Sequence, residues 1–241
     1  MDFAIIAAGE GSRLVHEGIT TPKPLINIQG VPLIERLIRI FLRNGASSIS
    51  VIVNEEMKEV QNFLKEMRLS VPFHLHIRST PSSMHSFYEL SRYLHNDRFC
   101  LTTVDPIFRE EEFSSYIQAF QDLDMADGLM AVTDFVDDEK PLYVQTDEDM
   151  RILDFAPPSP PKGGDVGFHA PLYVSGGIYC LRRTGIDVLE KAIAEGISRM
   201  RNYQRRLITE GLYLKAFPFS KIIDVDHADD IGKAERFLSE K

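Results

Sequence analysis

Six consecutive apolar residues, FAIIAA at positions 3–8, open the chain and stop at Gly9. A run this short, bounded by turn residues, is the pattern of a strand buried on both faces, as at the centre of a parallel sheet. Further on, Leu33, Ile34, Leu37, Ile38, Phe41 and Leu42 recur at helical spacing, with Glu35, Arg36, Arg39 and Arg43 between them and Gly45 as a stop. That is an amphipathic helix laid on the sheet. The alternation continues with strands expected at 49–53, 73–77, 99–104 and 128–132, and helices at 55–68, 83–95 and 110–123. Repeated strand and helix units predict an α/β fold: a doubly wound, mostly parallel sheet with helices on both faces and ligands at the carboxyl ends of the strands.

After Thr133 the pattern shifts to short extended pieces at 142–146 and 151–155, then to the Pro/Gly-rich stretch APPSPPKGGDVGFHAP at 156–171, which reads as a loop or lid. A strand at 173–181, helices at 185–195 and 199–210, strands at 212–218 and 222–225 and a final helix at 228–238 complete the expectation. With no internal repeat and no boundary in sight, the 241 residues are expected to form one domain.

Charge and cysteines narrow the setting. A formal net charge of −9 and a pI of about 5.3 give no global positive field for a nucleic-acid backbone, so no nucleic-acid partner is expected and any anionic ligand must be bound locally. Cys100 and Cys180 each sit in an apolar run and read as buried strand thiols of a reducing compartment. No apolar run approaches the ~20 residues of a membrane span, and MDFAIIAAG is too short for a signal peptide, so the expectation is a cytoplasmic protein with no membrane partner.

The loop after the first strand carries the chemistry. Gly9 and Gly11 allow backbone N–H groups to approach a phosphate closely. The dinucleotide fingerprint GxGxxG would need a third glycine where this chain has Leu14, with a helix starting at once, and the P-loop pattern GxxxxGK[ST] is absent. Pro22 and Pro24 forbid one continuous helix after the glycines, so a long loop is expected up to Leu33. On it, Arg13 can make bidentate bonds to phosphate, and Lys23, between the two prolines, offers a compact charge on a stiffened backbone.

The phrases IIAAGEGSRL and TTPKPLINIQGVPLIERLI resemble the signature of the sugar-phosphate nucleotidyltransferases, LAAGxGTRL followed by PKxL, over the first ~45 residues. The resemblance implies a Rossmann-like nucleotide-diphospho-sugar transferase fold, with a nucleotide-binding half at 1–132 and an acceptor-binding half at 133–241. Its substrates would be an NTP and a small phosphomonoester such as a sugar 1-phosphate, its cofactor Mg²⁺, its assembly a monomer or homodimer. By the same resemblance Arg13 and Lys23 are catalytic, Ala7, Ala8, Gly9, Gly11 and Ser12 meet the nucleotide, and Asp105, after FCLTTV, is the first metal-binding aspartate. DVDHADDIGKAERFL resembles the family's closing phrase; it makes Asp226 the favoured second ligand and keeps Asp224 in play. RSTPSSMHSFYELSRYL occupies the base-reading segment, where Ser79, Ser83, His85 and Ser86 are candidates, His85 equally a surface helix residue. VSGGIYCL resembles the sugar-side strand, its Gly176 and Gly177 either admitting a ligand or marking a bulge.

One departure concerns the acceptor. Relatives acting on sugar 1-phosphates carry EKP after a strand like RILDF, whereas this chain has Ala156, Pro157 and Pro158 there. Lys162 is a substitute candidate, and the literal Glu139, Lys140 and Pro141 read as an incidental loop. His74 and His76 share a strand face without a third ligand and read as structural. Two other classes stay open: a glycosyltransferase with a DxD metal site at Asp224 and Asp226, and a nucleotide-binding regulatory domain.

Overall fold

The computed structural model describes residues 1–137, 139–157 and 172–240. In chain order its strands are β1 (Asp2–Ala7), β2 (Asn27–Ile28), β3 (Val31–Pro32), β4 (Ser48–Val53), β5 (Phe73–Ile77), β6 (Arg98–Thr103), β7 (Pro106–Ile107), β8 (Gly128–Thr133), β9 (Tyr143–Thr146), β10 (Ile152–Asp154), β11 (Tyr173–Arg182), β12 (Leu214–Phe219) and β13 (Ile223–Asp224). The helices are α1 (Ser12–His16), α2 (Leu33–Arg43), α3 (Lys58–Glu66), α4 (Ser83–Ser91), α5 (Glu110–Asp122), α6 (Thr184–Ala194), α7 (Met200–Thr209) and α8 (Ala228–Ser239).

Nine strands make the main sheet. β6, β1, β4 and β5 lie side by side and parallel, with Phe3 of β1 opposite Ile49 of β4 and Cys100 of β6. β11 then runs antiparallel along β6, and β8 and β12 continue beyond it as a parallel pair. The β9–β10 hairpin attaches to the first residues of β11. The sheet is therefore mostly parallel, as its alternating strands and helices predict, with β11 as the long antiparallel seam.

Both faces of the parallel strands are covered, which is why FAIIAA has no polar alternation. Phe3, Ile5 and Ala7 point to one core and Ala4 and Ile6 to the other. On the first face the Phe3 ring packs at a tilt with its centre 4.6 Å from that of Phe41 in α2 and 6.5 Å from that of Phe113 in α5. On the second, Phe87 of α4 packs 5.8 Å from Phe99 and 5.6 Å from Tyr203 of α7. Each such fully buried side chain contributes about 1.5–3 kcal/mol relative to exposure.

Two expectations change. The stretch after Gly11 is not one long loop: α1 starts at once at Ser12, and a 3-10 turn forms at Lys23–Leu25. Gly11 takes up left-handed geometry, φ 63°, to launch α1; Leu14 anchors it in the core; and Gly18, φ 88°, turns the chain before Pro22. A five-residue helix offers too little periodicity to be read from sequence. α3 also begins three residues later than expected, because the Asn54 Oδ1 accepts the N–H groups of Glu56 and Met57 at 3.0 Å and holds them in a turn.

Gly176 and Gly177 mark a bulge, since the register of β11 against β8 slips between Ser175 and Tyr179. Gly177 has φ 72°, and a Cβ on Gly176 would lie 2.2 Å from Ile222 Cδ1 and 3.3 Å from the Ala131 carbonyl. The close packing of β11 against Ile222 leaves no room for a side chain at Gly176.

Candidate active site

A cleft of about 900 Å³ opens at the carboxyl ends of the parallel strands, lined by the loop after β1, by Asn54 after β4, by residues 79–83 after β5 and by Asp105 after β6. Lys23 reaches its floor. Its 3-10 turn is fixed by Pro22 before it and by Pro24, which is buried, while the glycine loop folds against it so closely that a Cβ on Gly11 would lie 3.2 Å from Lys23 Cβ. The Lys23 ammonium donates to Asp105 Oδ2 and to Asp226 Oδ1, each at 2.6 Å. Arg13 then donates to the other oxygen of Asp226, at 2.6 Å.

These four residues come from three distant parts of the chain, and the backbone explains how they meet. β13 pairs antiparallel with β7, placing Asp224 opposite Pro106, and the Val225 N–H donates to the Asp105 carbonyl at 3.2 Å. Asp226 is thereby brought beside Asp105. Its backbone N–H and that of His227 donate to Asp230 Oδ2 at 3.1 and 2.8 Å, which caps α8 and fixes the position of the Asp226 carboxylate. Glu17 at the end of α1 clasps the same turn, with Oε1 2.6 Å from His227 Nδ1 and Oε2 accepting the Ala228 N–H at 2.6 Å.

Charge and burial work against each other here. Burial alone would push the Lys23 ammonium down, but the Asp105 and Asp226 carboxylates outweigh it and hold its pKa above the ordinary lysine range. Burial likewise pushes the Asp105 carboxyl up, and Lys23 overturns that, so Asp105 stays ionised with its pKa below the usual value. The hydrogen bond to Glu17 raises the partly buried His227 imidazole, and the reciprocal bond lowers Glu17.

Asp105 Oδ1 is buried without a hydrogen-bond partner. An orphaned carboxylate oxygen, beside a second carboxylate tied to the same ammonium, suits a hard divalent cation completed by phosphate oxygens, since Mg²⁺ is commonly held by one or two carboxylates plus substrate. Among the described residues no group of three His, Cys, Asp or Glu could form an all-protein metal cage.

A second, smaller cavity of about 310 Å³ lies on the other side of the same pair, sharing Arg13 and Asp226 with the cleft. Leu142, Val174, Gly176 and Ile222 give it apolar walls, and Asp224 lines it too. The string Glu139, Lys140, Pro141, expected to be an incidental loop, is a loop whose Glu139 and Pro141 line this cavity. Lys162 lies outside the described residues, as does most of the 156–171 stretch.

The other expected residues divide. Ala8, Gly9, Gly11, Ser12, Ser79, Ser83 and Ser86 line the cleft. Ala7 does not, being buried in β1 opposite Val53. His85 is not among the lining residues either: its Nδ1 lies 2.9 Å from Ser82 Oγ, in a local bond at the start of α4. Gly177 lines neither cavity. His74 stacks on Tyr93 with ring centres 5.0 Å apart, and His76 lies 3.3 Å from Glu89. Cys100 and Cys180 face each other across β6 and β11, and burial pushes the Cys100 thiol up.

Sequence reasoning missed Asn54, Glu17 and Asp230. Asn54 carried a signal, a polar residue directly after an apolar strand; it donates to the Ala8 carbonyl at 3.2 Å and so ties the glycine loop to the end of β4. Glu17 and Asp230 act through contacts 211 and four residues away in sequence respectively, and only the fold discloses the first.

Residues 3–202 match the family described as the MobA-like NTP transferase domain. The chain belongs to that family. A 2-aminoethylphosphonate cytidylyltransferase of Lancefieldella rimae is 44% identical over 62 residues, 26% of this chain and 25% of that protein. The bifunctional protein GlmU of Thermodesulfovibrio yellowstonii is 24% identical across the whole chain, which spans 53% of its length. Members of the family and its structural neighbours are nucleotidyltransferases. The fold is shared with the inositol-1-phosphate CTP transferase of T. maritima, TM-score 0.78 at 18% identity over 99% of this chain and 94% of that one. It is shared also with a putative glucose-1-phosphate thymidylyltransferase of Bacillus anthracis, 0.80 at 20% over 100% and 96%, and with the CTP:phosphocholine cytidylyltransferase LicC of Streptococcus pneumoniae, 0.71 at 20% over 98% of each. No helix of the described residues is long and apolar enough to cross a membrane.

Proposed function

We propose that this chain transfers a nucleotidyl group from an NTP to the phosphorus oxyanion of a small acceptor, releasing pyrophosphate. The observation that carries the reading is the Lys23 ammonium held between Asp105 and Asp226, with Arg13 on the far oxygen, in a cleft at the carboxyl ends of parallel strands. In this reading the nucleotide occupies the 900 Å³ cleft, formed largely by residues 1–132, and the acceptor occupies the 310 Å³ cavity, formed largely by residues 133–241.

An acceptor oxygen attacks the α-phosphorus in line; the new P–O bond forms as the bond to the β-phosphate oxygen breaks, and that oxygen leaves with the electron pair on pyrophosphate. A phosphomonoester is already largely dianionic at pH 7, with a second pKa of about 6, so no general base is needed. The residues position groups and offset charge. Arg13, at the junction of the two cavities, orients acceptor and phosphate oxygens, and Lys23 stabilises the charge that builds on the α-phosphate oxygens. Asp105 and Asp226 would hold Mg²⁺, which supplies Lewis-acid stabilisation to the triphosphate, and the orphaned Asp105 Oδ1 supports that choice. Buried thiols at Cys100 and Cys180 suit a cytoplasmic setting.

The test is a pyrophosphate-release panel of four NTPs against several phosphomonoesters and phosphonates, with Mg²⁺ and with EDTA. NTP binding without pyrophosphate release from any pair would favour a regulatory nucleotide-binding role instead. Consumption of an NDP-sugar would favour a glycosyltransferase instead.

A further inference from the structure

We infer that the acceptor carries a positively charged amine at the end remote from its phosphorus, and that the smaller cavity is the pocket for that amine. This rests on the nucleotidyl-transfer reading above. Among the described residues the cavity and the nucleotide cleft share Arg13 and Asp226, so an acceptor whose oxyanion lies at Arg13, within reach of the α-phosphate, places the rest of itself in the cavity.

Among the described residues, the side chains that line the remainder of the cavity are mostly acidic. Beyond the junction, Asp137, Glu139, Asp224, Asp229 and Asp230 line the cavity, and among the described residues the lysine that lines it is Lys233. Lys233 lies 2.8 Å from Asp137, 3.3 Å from Asp229 and 3.0 Å from Asp230, so one ammonium is shared by three carboxylates and the cluster keeps a net negative charge. Glu139 reaches only as near as 3.9 Å to His227 Nε2.

An acceptor with a second anion would be repelled from such a pocket. A neutral polyol could donate hydroxyl hydrogen bonds to the carboxylates but would gain nothing from their net charge. An amine gains from both, and the apolar walls at Leu142, Val174 and Ile222 suit the methylene or methyl groups that flank its nitrogen. Phe135, also on the wall, carries the Lys221 ammonium 4.3 Å from its ring centre, so Lys221 is a second cation beside the pocket, set against the five lining carboxylates.

The experiment compares kcat/KM for phosphocholine and 2-aminoethylphosphonate with that for glucose 1-phosphate and inositol 1-phosphate, using the best NTP and Mg²⁺. The expected result is a preference of at least about tenfold for the amines. Glu139→Gln and Asp229→Asn, which keep hydrogen-bonding capacity and remove charge at exposed positions, should each raise KM for the amine acceptor roughly fivefold, the value for a unit charge pair at 4 Å in water, with the larger effect on KM than on kcat. Preference for the neutral acceptors would overturn the inference and leave the transfer reading standing. Pyrophosphate release from no pair would remove the transfer reading, and choline binding to the intact chain, followed by saturation-transfer NMR, then decides the pocket by itself. Choline signals weakened by both substitutions support it; signals absent, or unchanged in both variants, overturn it.

Discussion

Replacing Lys23 by alanine tests the charge arrangement at the centre of the site directly. In the native chain the ammonium lies 2.6 Å from an oxygen of Asp105 and 2.6 Å from an oxygen of Asp226, and its side chain is only 10% exposed. Those two oxygens are therefore no further apart than twice that distance. Without Lys23, two carboxylates about 5 Å apart repel each other by about 3 kcal/mol at an effective dielectric constant near 20. Removing one partner of a buried pair generally costs about 3–5 kcal/mol, because the remaining charge is left uncompensated. The half-exposed Asp226 can rotate towards water, which favours the lower end of that range. The structure thus predicts a loss of stability as well as of turnover. Urea unfolding at pH 7 should show Lys23→Ala destabilised by about 3 kcal/mol, and millimolar Mg²⁺ should restore more stability to the variant than to the native chain. Equal unfolding free energies for the two, with or without Mg²⁺, would refute the assignment of Lys23 as the compensating charge.

Three further outcomes are expected. Arg13→Ala should leave stability within about 1 kcal/mol, since its ion pair is half-exposed, while lowering kcat/KM at least about a hundredfold by removing a transition-state donor; initial-rate kinetics beside thermal unfolding separate the two. Gly11→Ala should cost about 1–2 kcal/mol, as φ 63° strains any residue with a Cβ and that atom would crowd Lys23, and chemical denaturation reads it. Asp2 accepts five hydrogen bonds, from Ser47, Ser48, the backbone of His95 and Asn96 and the Asn96 side chain; burial pushes its pKa up but these donors hold it below the usual value. Its stabilising contribution is thus complete above an unfolded pKa of about 3.9 and is lost as pH falls through the lower folded value, so Asp2→Asn should flatten the acid limb of a stability–pH curve below about pH 4.

Much of this architecture is legible from residue patterns because its determinants are local. The double-sided burial of β1 shows in FAIIAA, and α2 shows in the spacing of its apolar pairs. The direction and neighbours of β11 do not show: an apolar run says that a strand forms, and nothing in its period says that it runs antiparallel between β6 and β8. Arg13, Lys23, Asp105 and Asp226 were readable from the loop chemistry and the family phrases. Their convergence depends on β13 pairing with β7, a contact of two residues from each strand that no periodicity announces. His85 misleads because a histidine one turn into a helix after a loop has the same sequence appearance whether it faces the cleft or bonds Ser82. Asp230 looked like one more charge on the last helix, and only its bonds to the Asp226 and His227 N–H groups distinguish it.

The position of β11 has a consequence for how the chain is made. Among the described residues β8 pairs with β11 and β12, which begin about 40 and 80 residues after it ends, and until β11 arrives β6 has one edge unpaired. At about 5–20 residues per second on the ribosome, the first 133 residues wait several seconds with these apolar edges uncovered. A nascent chain in that state is a template for strand addition by other chains. Stalling translation between β8 and β11 should accordingly yield aggregates or chaperone-bound chains, whereas stalling after β12 should yield a closed sheet.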